Sequence, residues 1–442
     1  MNKHSLRILA GAALLMALPV LASASTSRLQ GMALPGDYTK DFTAIYGWPA
    51  SVTSVGNLVY GELGNQLVNT TTGIPNGTER AMGAVLPNLW DGRYGVWAIH
   101  LRSQTPALGQ GDVMTGPNPG QGGLDPNDNQ NESFDIMWGK KFGSTSFGLR
   151  VNRSFFSSED EIPGVTTLFE ADGPGTANVG DPNLARNVFG FGAGMGFDLS
   201  ANTTAELSLL YQNRTYEVSN APTNKQTDDG GTTYMFAGRM MWKWQPNVLV
   251  VPVAKFYSFD LSQKSVAGAT TTTFDNSLKG WQAGVAGNWA LGSNDLFVLG
   301  ATVAQNKIDV QNDPFNLNNG VLSGFGFSDE FEATETFMPQ VFMSLESQVN
   351  SWLTLRLGAN KGVVHTYKVK DNATGANETL TLKDSPFNMA IGASVKAGAL
   401  TFDAVLDDNF YNNPIAQLMG SNNANYWWND TAFNKVSVTY TW

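Results

Sequence analysis

The stretch Phe433-Asn-Lys-Val-Ser-Val-Thr-Tyr-Thr-Trp442 decides the fold class. Its residues alternate, with Val436, Val438, Tyr440 and Trp442 on one face and Lys435, Ser437, Thr439 and Thr441 on the other. A period of two is typical of a β-strand, because successive side chains of a strand point to opposite faces. The stretch therefore predicts a strand that is apolar on one face and ends on an aromatic residue.

The same alternation recurs along the chain, for example at 204–218, 353–360 and 387–396. Only 15% of the residues are charged, whereas 11% are aromatic and 47 residues are glycine. Beyond residue 24, no run of about 18 apolar residues could form a membrane-spanning helix. The sequence predicts an all-β chain, either a soluble exported protein or a barrel in a membrane.

The first residues predict export. Lys3 and Arg7 precede an apolar run from Ile8 to Leu21, and Ala22-Ser23-Ala24 is a small-x-small cleavage signal. Residues 1–24 are therefore predicted to be a signal peptide. Removing them takes away two cations and no acid, so the net charge of -11 becomes -13. So acidic a chain is not expected to bind nucleic acid.

The lengths of the connections separate a membrane barrel from a soluble sandwich. Strands are predicted near 57–64, 79–87, 92–103, 132–141, 146–157, 186–199, 203–218, 231–245, 247–262, 277–291, 295–310, 332–348, 351–369, 379–397, 399–409 and 431–442. Long connections such as 104–131 alternate with short ones such as 143–145 and 246–247. Bacterial membrane barrels have an even number of strands, short periplasmic turns and long external loops. Residues 56–442 are therefore predicted to form a transmembrane antiparallel β-barrel of 14–16 strands, with 16 as the best count.

Such a barrel is expected in the outer membrane of a Gram-negative bacterium, with lipids around its outer face. Aromatic residues near predicted turns, including Trp242, Trp289 and Trp352, are typical of the membrane interface. The final strand with Trp442 resembles the terminal signal that outer-membrane barrels present to their assembly machinery. Outer-membrane lipids and the barrel-assembly machinery are therefore the expected macromolecular partners.

The strand around Lys255 indicates what lines the lumen. A lysine on the lipid face near the middle of the membrane costs about 2–4 kcal/mol, so Lys255 is expected to point inward. Alternation then places Tyr257 and Phe259 inward as well. Apolar residues on both faces of this strand favour a packed plug or a hydrophobic passenger over a water-filled pore.

A stripe of small residues marks the strand 188–199. Gly190, Gly192, Gly194 and Gly196 share one face. Glycines in a strand allow another backbone or a ligand to approach closely, and the alternative is a bend required for barrel curvature.

Residues 25–55, the N-terminal segment, carry a family resemblance. Asp41, the run Ala44-Ile45-Tyr46 and the triplet Trp48-Pro49-Ala50 precede the first strand. They resemble the N-terminal hatch of the long-chain fatty acid transporter (FadL-type) family, which has Asn at the position of Trp48. The resemblance implies a barrel plugged by this hatch. It also implies uptake of hydrophobic compounds, fatty-acid-like or hydrocarbon, through apolar pockets and a gap in the wall.

The candidate substrate-facing residues are inward by alternation: Arg239, Lys255, Tyr257, Phe259 and Arg356. The three cations could meet the carboxylate of a passenger. The alternative is that they pair with luminal acids such as Glu206, Glu346 and Asp403.

Two other functions stay open: a general or selective diffusion porin, and a structural or secretion-associated barrel. An enzyme is not expected, because Ser103 and His100 would lie on opposite strand faces. No cofactor or metal site is predicted, since the oxygen-rich stretch 125–132 lacks the spacing of a calcium loop.

Overall fold

The computed structural model describes residues 26–39, 41–68, 75–102, 132–158, 183–221, 224–260, 262–292, 294–311, 330–371, 379–406 and 433–442. The predicted signal peptide, residues 1–24, and the long connection 104–131 lie outside the described residues. Within the described ranges, no helix is long and apolar enough to cross a membrane.

The described residues are mostly strand, as the alternating pattern predicts. The strands are, in chain order, β1 Leu58–Val68, β2 Pro75–Leu86, β3 Val96–Arg102, β4 Glu132–Phe142, β5 Thr145–Ser158, β6 Asn183–Ser200, β7 Thr203–Ala221, β8 Asn224–Asp228, β9 Thr232–Gln245, β10 Val248–Asp260, β11 Gln263–Ala267, β12 Thr270–Phe274, β13 Ser277–Leu291, β14 Asp295–Val310, β15 Phe331–Gln348, β16 Leu353–Gly362, β17 His365–Asp371, β18 Thr379–Asp384, β19 Phe387–Ala397, β20 Leu400–Leu406 and β21 Phe433–Thr441.

Sixteen of these strands pair antiparallel into a closed ring, the wall: β1–β7, β9, β10, β13–β16 and β19–β21. The ring closes where β21 pairs with β1, with Thr441 opposite Leu58 and Lys435 opposite Gly64. The predicted barrel and its count of 16 are confirmed. The short connections such as 246–247 define the turn end of the barrel. The strand ends that flank the long connections lie at the opposite end, the loop end.

The predicted strands 351–369 and 379–397 are each divided in two. Gly362 donates its backbone N–H to the carbonyl of Pro386 at 2.9 Å, so the hairpin continues across the break. Pro386 stands at this break because proline has no N–H to give to a ladder. The short strands β8, β11 and β12 lie where connections were predicted, and β11 pairs with both of its neighbours.

The wall has its charged side chains on the inside and its apolar side chains on the outside, the reverse of a soluble protein. Inward-pointing Lys255 and Asp403 are 1% and 0% exposed. Outward-pointing Phe256 and Leu357 are 56% and 45% exposed. An apolar outer face around a polar interior is the pattern of a membrane barrel.

The N-terminal segment fills part of the interior. It consists of the helix α1 Thr26–Gly31 and of 3-10 turns at Gly36–Tyr38, Phe42–Tyr46 and Pro49–Ser54. Two apolar clusters join it to the wall, one through Tyr38 and Trp48 and one through Ile45 and Tyr46. The segment therefore has no apolar core of its own and depends on the inner face of the wall.

Candidate functional site

Local signals in the sequence explain the turns of the N-terminal segment. The Asp41 carboxylate accepts hydrogen bonds from the backbone N–H and the hydroxyl of Thr43, both at 2.9 Å, and so caps the turn Phe42–Tyr46. Acceptor side chains at this position satisfy N–H groups that a short helix leaves unpaired. Pro49 starts the following turn, where its fixed φ is favourable.

Arg28 connects the N-terminal segment to the wall. Its Nε and Nη2 donate to the two oxygens of Glu346 on β15, both at 2.7 Å. Its Nη1 donates to Asp41 at 3.2 Å. Glu346 also accepts a hydrogen bond from Nε of Arg356 at 2.5 Å, and Nη1 of Arg356 donates to Asp403 at 2.7 Å. All five side chains are buried, so each charge depends on its partners.

Burial and the ion pairs shift the pKa values of Asp41 and Arg28. Burial raises the pKa of the Asp41 carboxyl, although the charge of Arg28 and the hydrogen bonds from Thr43 oppose that shift. Burial alone would lower the pKa of the Arg28 guanidinium, but Glu346 and Asp41 raise it above its ordinary value. Arg28 therefore stays charged inside the barrel.

A second link joins the segment to the neighbouring strands β9 and β10. Trp48 donates its indole N–H to Asp37 at 2.9 Å, and Lys255 pairs with the other oxygen of Asp37 at 2.5 Å. The guanidinium of Arg239 lies 4.6 Å from the centre of the Trp48 ring and donates to Glu206 at 2.6 Å. Trp48, the residue that departs from the family triplet, therefore has a hydrogen-bond acceptor for its N–H and a cation against its ring face.

Tyr46 anchors the segment to the first strands. Its hydroxyl lies 2.7 Å from that of Tyr60, which in turn lies 2.9 Å from Nδ1 of His100. The Tyr46 carbonyl accepts from Arg150 at 2.8 Å, and Arg102 stacks 3.8 Å from the ring centre. Ala44 and Ile45 beside it are buried, and Ile45 belongs to the same apolar cluster.

The glycine stripe on β6 has mixed surroundings. A Cβ at Gly194 would lie 2.7 Å from the backbone nitrogen of Ala50, so here the segment touches the wall. A Cβ at Gly192 would meet the side chain of Leu210 at 2.7 Å. At Gly190 and Gly196 it would meet wall side chains, with no atom of the segment among its nearest neighbours.

Glycines outside that stripe also contact the segment, and Gly148 and Gly358 approach its backbone more closely than Gly194 does. A Cβ at Gly148 would overlap the carbonyl of Pro49, and one at Gly358 would overlap the carbonyl of Met32. At Gly392 it would lie 3.0 Å from the Cα of Gly31. Sequence reasoning missed them because isolated glycines carry no pattern in a chain that has 47.

The predicted substrate-facing cations are luminal but already paired. Arg239 binds Glu206, and Arg356 binds Glu346 and Asp403, so the alternative of pairing with luminal acids describes the structure. Tyr257 and Phe259 belong to an apolar cluster of wall residues towards the loop end. The Tyr257 hydroxyl donates to Asn306.

Two cavities lie against the N-terminal segment. The loop-side cavity, of about 400 Å³, lies farther from the short turns, between residues 29–35 and strands β15, β16, β19 and β20. The turn-side cavity, of about 600 Å³, lies between Arg28, Asp41 and Ser51 of the segment and the turns at 201–203 and 246–247. Residues between 29 and 35 of the segment line the loop-side cavity, and Arg28, Asp41 and Ser51 line the turn-side cavity, so the segment lies between the two.

No family model and no curated protein matches the chain. Solved structures of barrels do. The toluene transporter TodX of Pseudomonas putida is 8% identical, with 93% of this chain and 94% of that chain covered and a TM-score of 0.37. A Pseudomonas aeruginosa FadL homologue is 10% identical, with 93% and 97% covered and a TM-score of 0.40. CdiB from Escherichia coli is 10% identical, with 89% and 63% covered and a TM-score of 0.41.

Proposed function

We propose that this chain is an outer-membrane channel for the uptake of hydrophobic compounds, in which the N-terminal segment plugs the barrel. The observation that carries the proposal is the position of that segment. It is buried, it is bonded to inner faces around the ring, and it lies between two cavities. This arrangement agrees with the hatch that the sequence resembles in the FadL-type family.

The outer face supports a membrane location. Apolar side chains such as Leu299, Leu357 and Phe402 are exposed on the outside, whereas the luminal cations are buried in ion pairs. In water an apolar outer surface of this extent would favour aggregation, but lipid solvates it. The turn end then faces the periplasm and the loop end faces the outside of the cell.

The interior supports a hydrophobic passenger. At the loop end, Tyr257, Phe259, Leu278 and Phe331 form a buried apolar cluster on the inner face of the wall. The loop-side cavity follows at the level of α1, with Leu29, Leu34 and Phe342 in its lining. A polar, water-filled pore has no need of such a lining.

Conductance tests whether the segment is a plug. The intact protein and a variant lacking residues 28–50 are inserted into planar bilayers. Conductance that appears only after the deletion would support the proposal. Large, stable conductance of the intact protein would contradict it and would favour the porin alternative.

Uptake tests the passenger. A strain that lacks this chain should take up a labelled fatty acid or alkane more slowly, and the intact gene should restore the rate. Unchanged uptake, with the plug confirmed by conductance, would count against transport and would favour a structural or secretion-associated barrel.

A further inference from the structure

The lining of the loop-side cavity combines apolar groups with uncharged amides. Leu29, Leu34, Phe342 and Val405 provide the apolar surface. Four amides add polar groups: Gln30 of α1, and Gln340, Asn360 and Asn388 from the strands β15, β16 and β19. No described residue in the lining is charged.

These amides are available to a ligand. The side chains of Gln340, Asn360 and Asn388 make no hydrogen bond with any other described residue, although Gln340 and Asn360 are half-buried. Each carboxamide offers two N–H donors and a carbonyl acceptor. Such groups can form the hydrogen bonds that a ligand hydroxyl or carbonyl requires. A neutral group of this kind needs one or two hydrogen-bond partners and no counter-ion.

Lys361, next to Asn360, is exposed on the opposite face of β16 and donates to the carbonyl of Ser385. The nearest cations on the inward face are bound to carboxylates of the protein. Arg28 precedes Leu29, and its guanidinium holds Glu346 and Asp41. Arg356 lies on the same strand face as Asn360, and it holds Glu346 and Asp403. A ligand carboxylate in the cavity would have to displace one of these acids or lose its hydration without a counter-ion, and both are costly.

We infer that the loop-side cavity binds a neutral amphiphile, a hydrocarbon body with one hydroxyl or carbonyl group, in preference to a fatty-acid carboxylate. This rests on the proposed function, whose passenger class it narrows. The volume of about 400 Å³ suits a small molecule, since ligand pockets span about 300–1,000 Å³. Apolar surface provides affinity, and the amides fix the orientation of the polar end.

Binding of three matched probes tests the inference. The full chain in lipid nanodiscs is titrated calorimetrically with 1-octanol, octanoate and octylammonium at pH 7.5, with empty nanodiscs as the blank. Octanol should bind at least about tenfold more tightly than either ion. Octanoate should bind better near pH 4, where its carboxyl group is neutral, and this comparison needs no variant. Tighter binding of octanoate or octylammonium than of octanol at pH 7.5, or no binding of octanol, would overturn the inference.

Substitutions locate the site. N360L should weaken octanol binding about three- to tenfold, because one hydrogen bond to the hydroxyl is lost. N360R should instead improve octanoate binding. Q305L is the matched control, since Gln305 points outward from β14, and it should change neither. If N360L keeps the circular dichroism of the parent barrel and binds octanol as tightly as the parent does, the assignment is contradicted.

The two proposals fail separately. A reversed probe preference overturns the neutral-amphiphile inference while the conductance and uptake results still support a plugged transporter. A conducting intact protein refutes the plug whichever probe binds best.

Discussion

Arg28 shows how much of the arrangement depends on one side chain. It is 2% exposed and gives the N-terminal segment its bidentate bond to Glu346 on the wall. Bidentate arginine–carboxylate pairs fix geometry as well as charge. A buried pair need not stabilise a fold more than apolar packing would, but the loss of one partner leaves a buried charge without compensation.

Replacing Arg28 with methionine should therefore release the segment. The loss of one partner of a buried ion pair costs about 3–5 kcal/mol. Amide hydrogen exchange of residues 26–54 in nanodiscs measures the free energy of local opening, and exchange should become faster there while the wall strands remain protected.

Lys307 provides the control for that substitution. It pairs with Glu332 at 3.0 Å, but its side chain is 52% exposed. The same change to methionine should cost less than about 1 kcal/mol, because exposed pairs contribute little. Equal exchange in the Arg28 and Lys307 variants would show that Arg28 does not hold the segment.

At the scale of elements, glycines of the wall let the backbone of the segment approach closely, in addition to the side-chain contacts between the two. The carbonyl of Met32 lies where a Cβ of Gly358 would stand on β16, and a Cβ of Gly392 on β19 would lie 3.0 Å from the Cα of Gly31. Glycine permits such approach because it has no side chain to displace the neighbour. The end of α1 therefore rests directly on the backbone of β16 and β19.

A valine at Gly358 should push α1 away from the wall. The branched side chain would overlap the Met32 carbonyl, and the segment can move more easily than a paired strand. Valine favours strands, so the barrel itself should form. We expect the full-length protein with valine at Gly358 to conduct in planar bilayers, as is also expected after deletion of residues 28–50.

Gly61 on β1 is the matched position, because a Cβ there would have no atom within 4 Å. Valine at Gly61 should leave conductance at the value of the parent protein. If neither variant conducts, the close contact at Gly358 does not hold the segment in place.

The whole molecule depends on closure between β1 and β21. The ladder from Leu58 to Gly64 joins the two ends of the described wall. Asn57 also donates to the carbonyl of Trp442 at 3.4 Å. Without β21, both β1 and β20 would present unpaired backbone groups, which lipid cannot satisfy.

Removal of residues 433–442 should therefore prevent a closed barrel. The truncated chain should lose the heat-modifiable electrophoretic mobility of a folded barrel, whereas W442F, which keeps the aromatic end, should retain it. A truncated chain with unchanged mobility would show that another pairing closes the ring. The interaction of this strand with the assembly machinery stays a prediction.

The architecture was more predictable from sequence than the site. Alternation gave the sixteen wall strands and the inward position of Lys255, Arg239 and Arg356, all buried in the structure. It missed the breaks near Pro386 and the added strands β8, β11 and β12, because short strands at the loop end resemble connections. The hatch motif drew attention to Asp41, Tyr46 and Trp48 but not to Arg28.

The sequence by itself determined the strand pattern, the two faces of each strand and the even, closed barrel that follows from them. These are properties of period and of connection length, which are local to the chain. Only the tertiary structure decided that Arg28 meets Glu346, that Gly358 rather than Gly190 touches the N-terminal segment, and that this segment divides two cavities. The reason is physical: such contacts join residues far apart in sequence, and they exist only once the ring has closed around the segment.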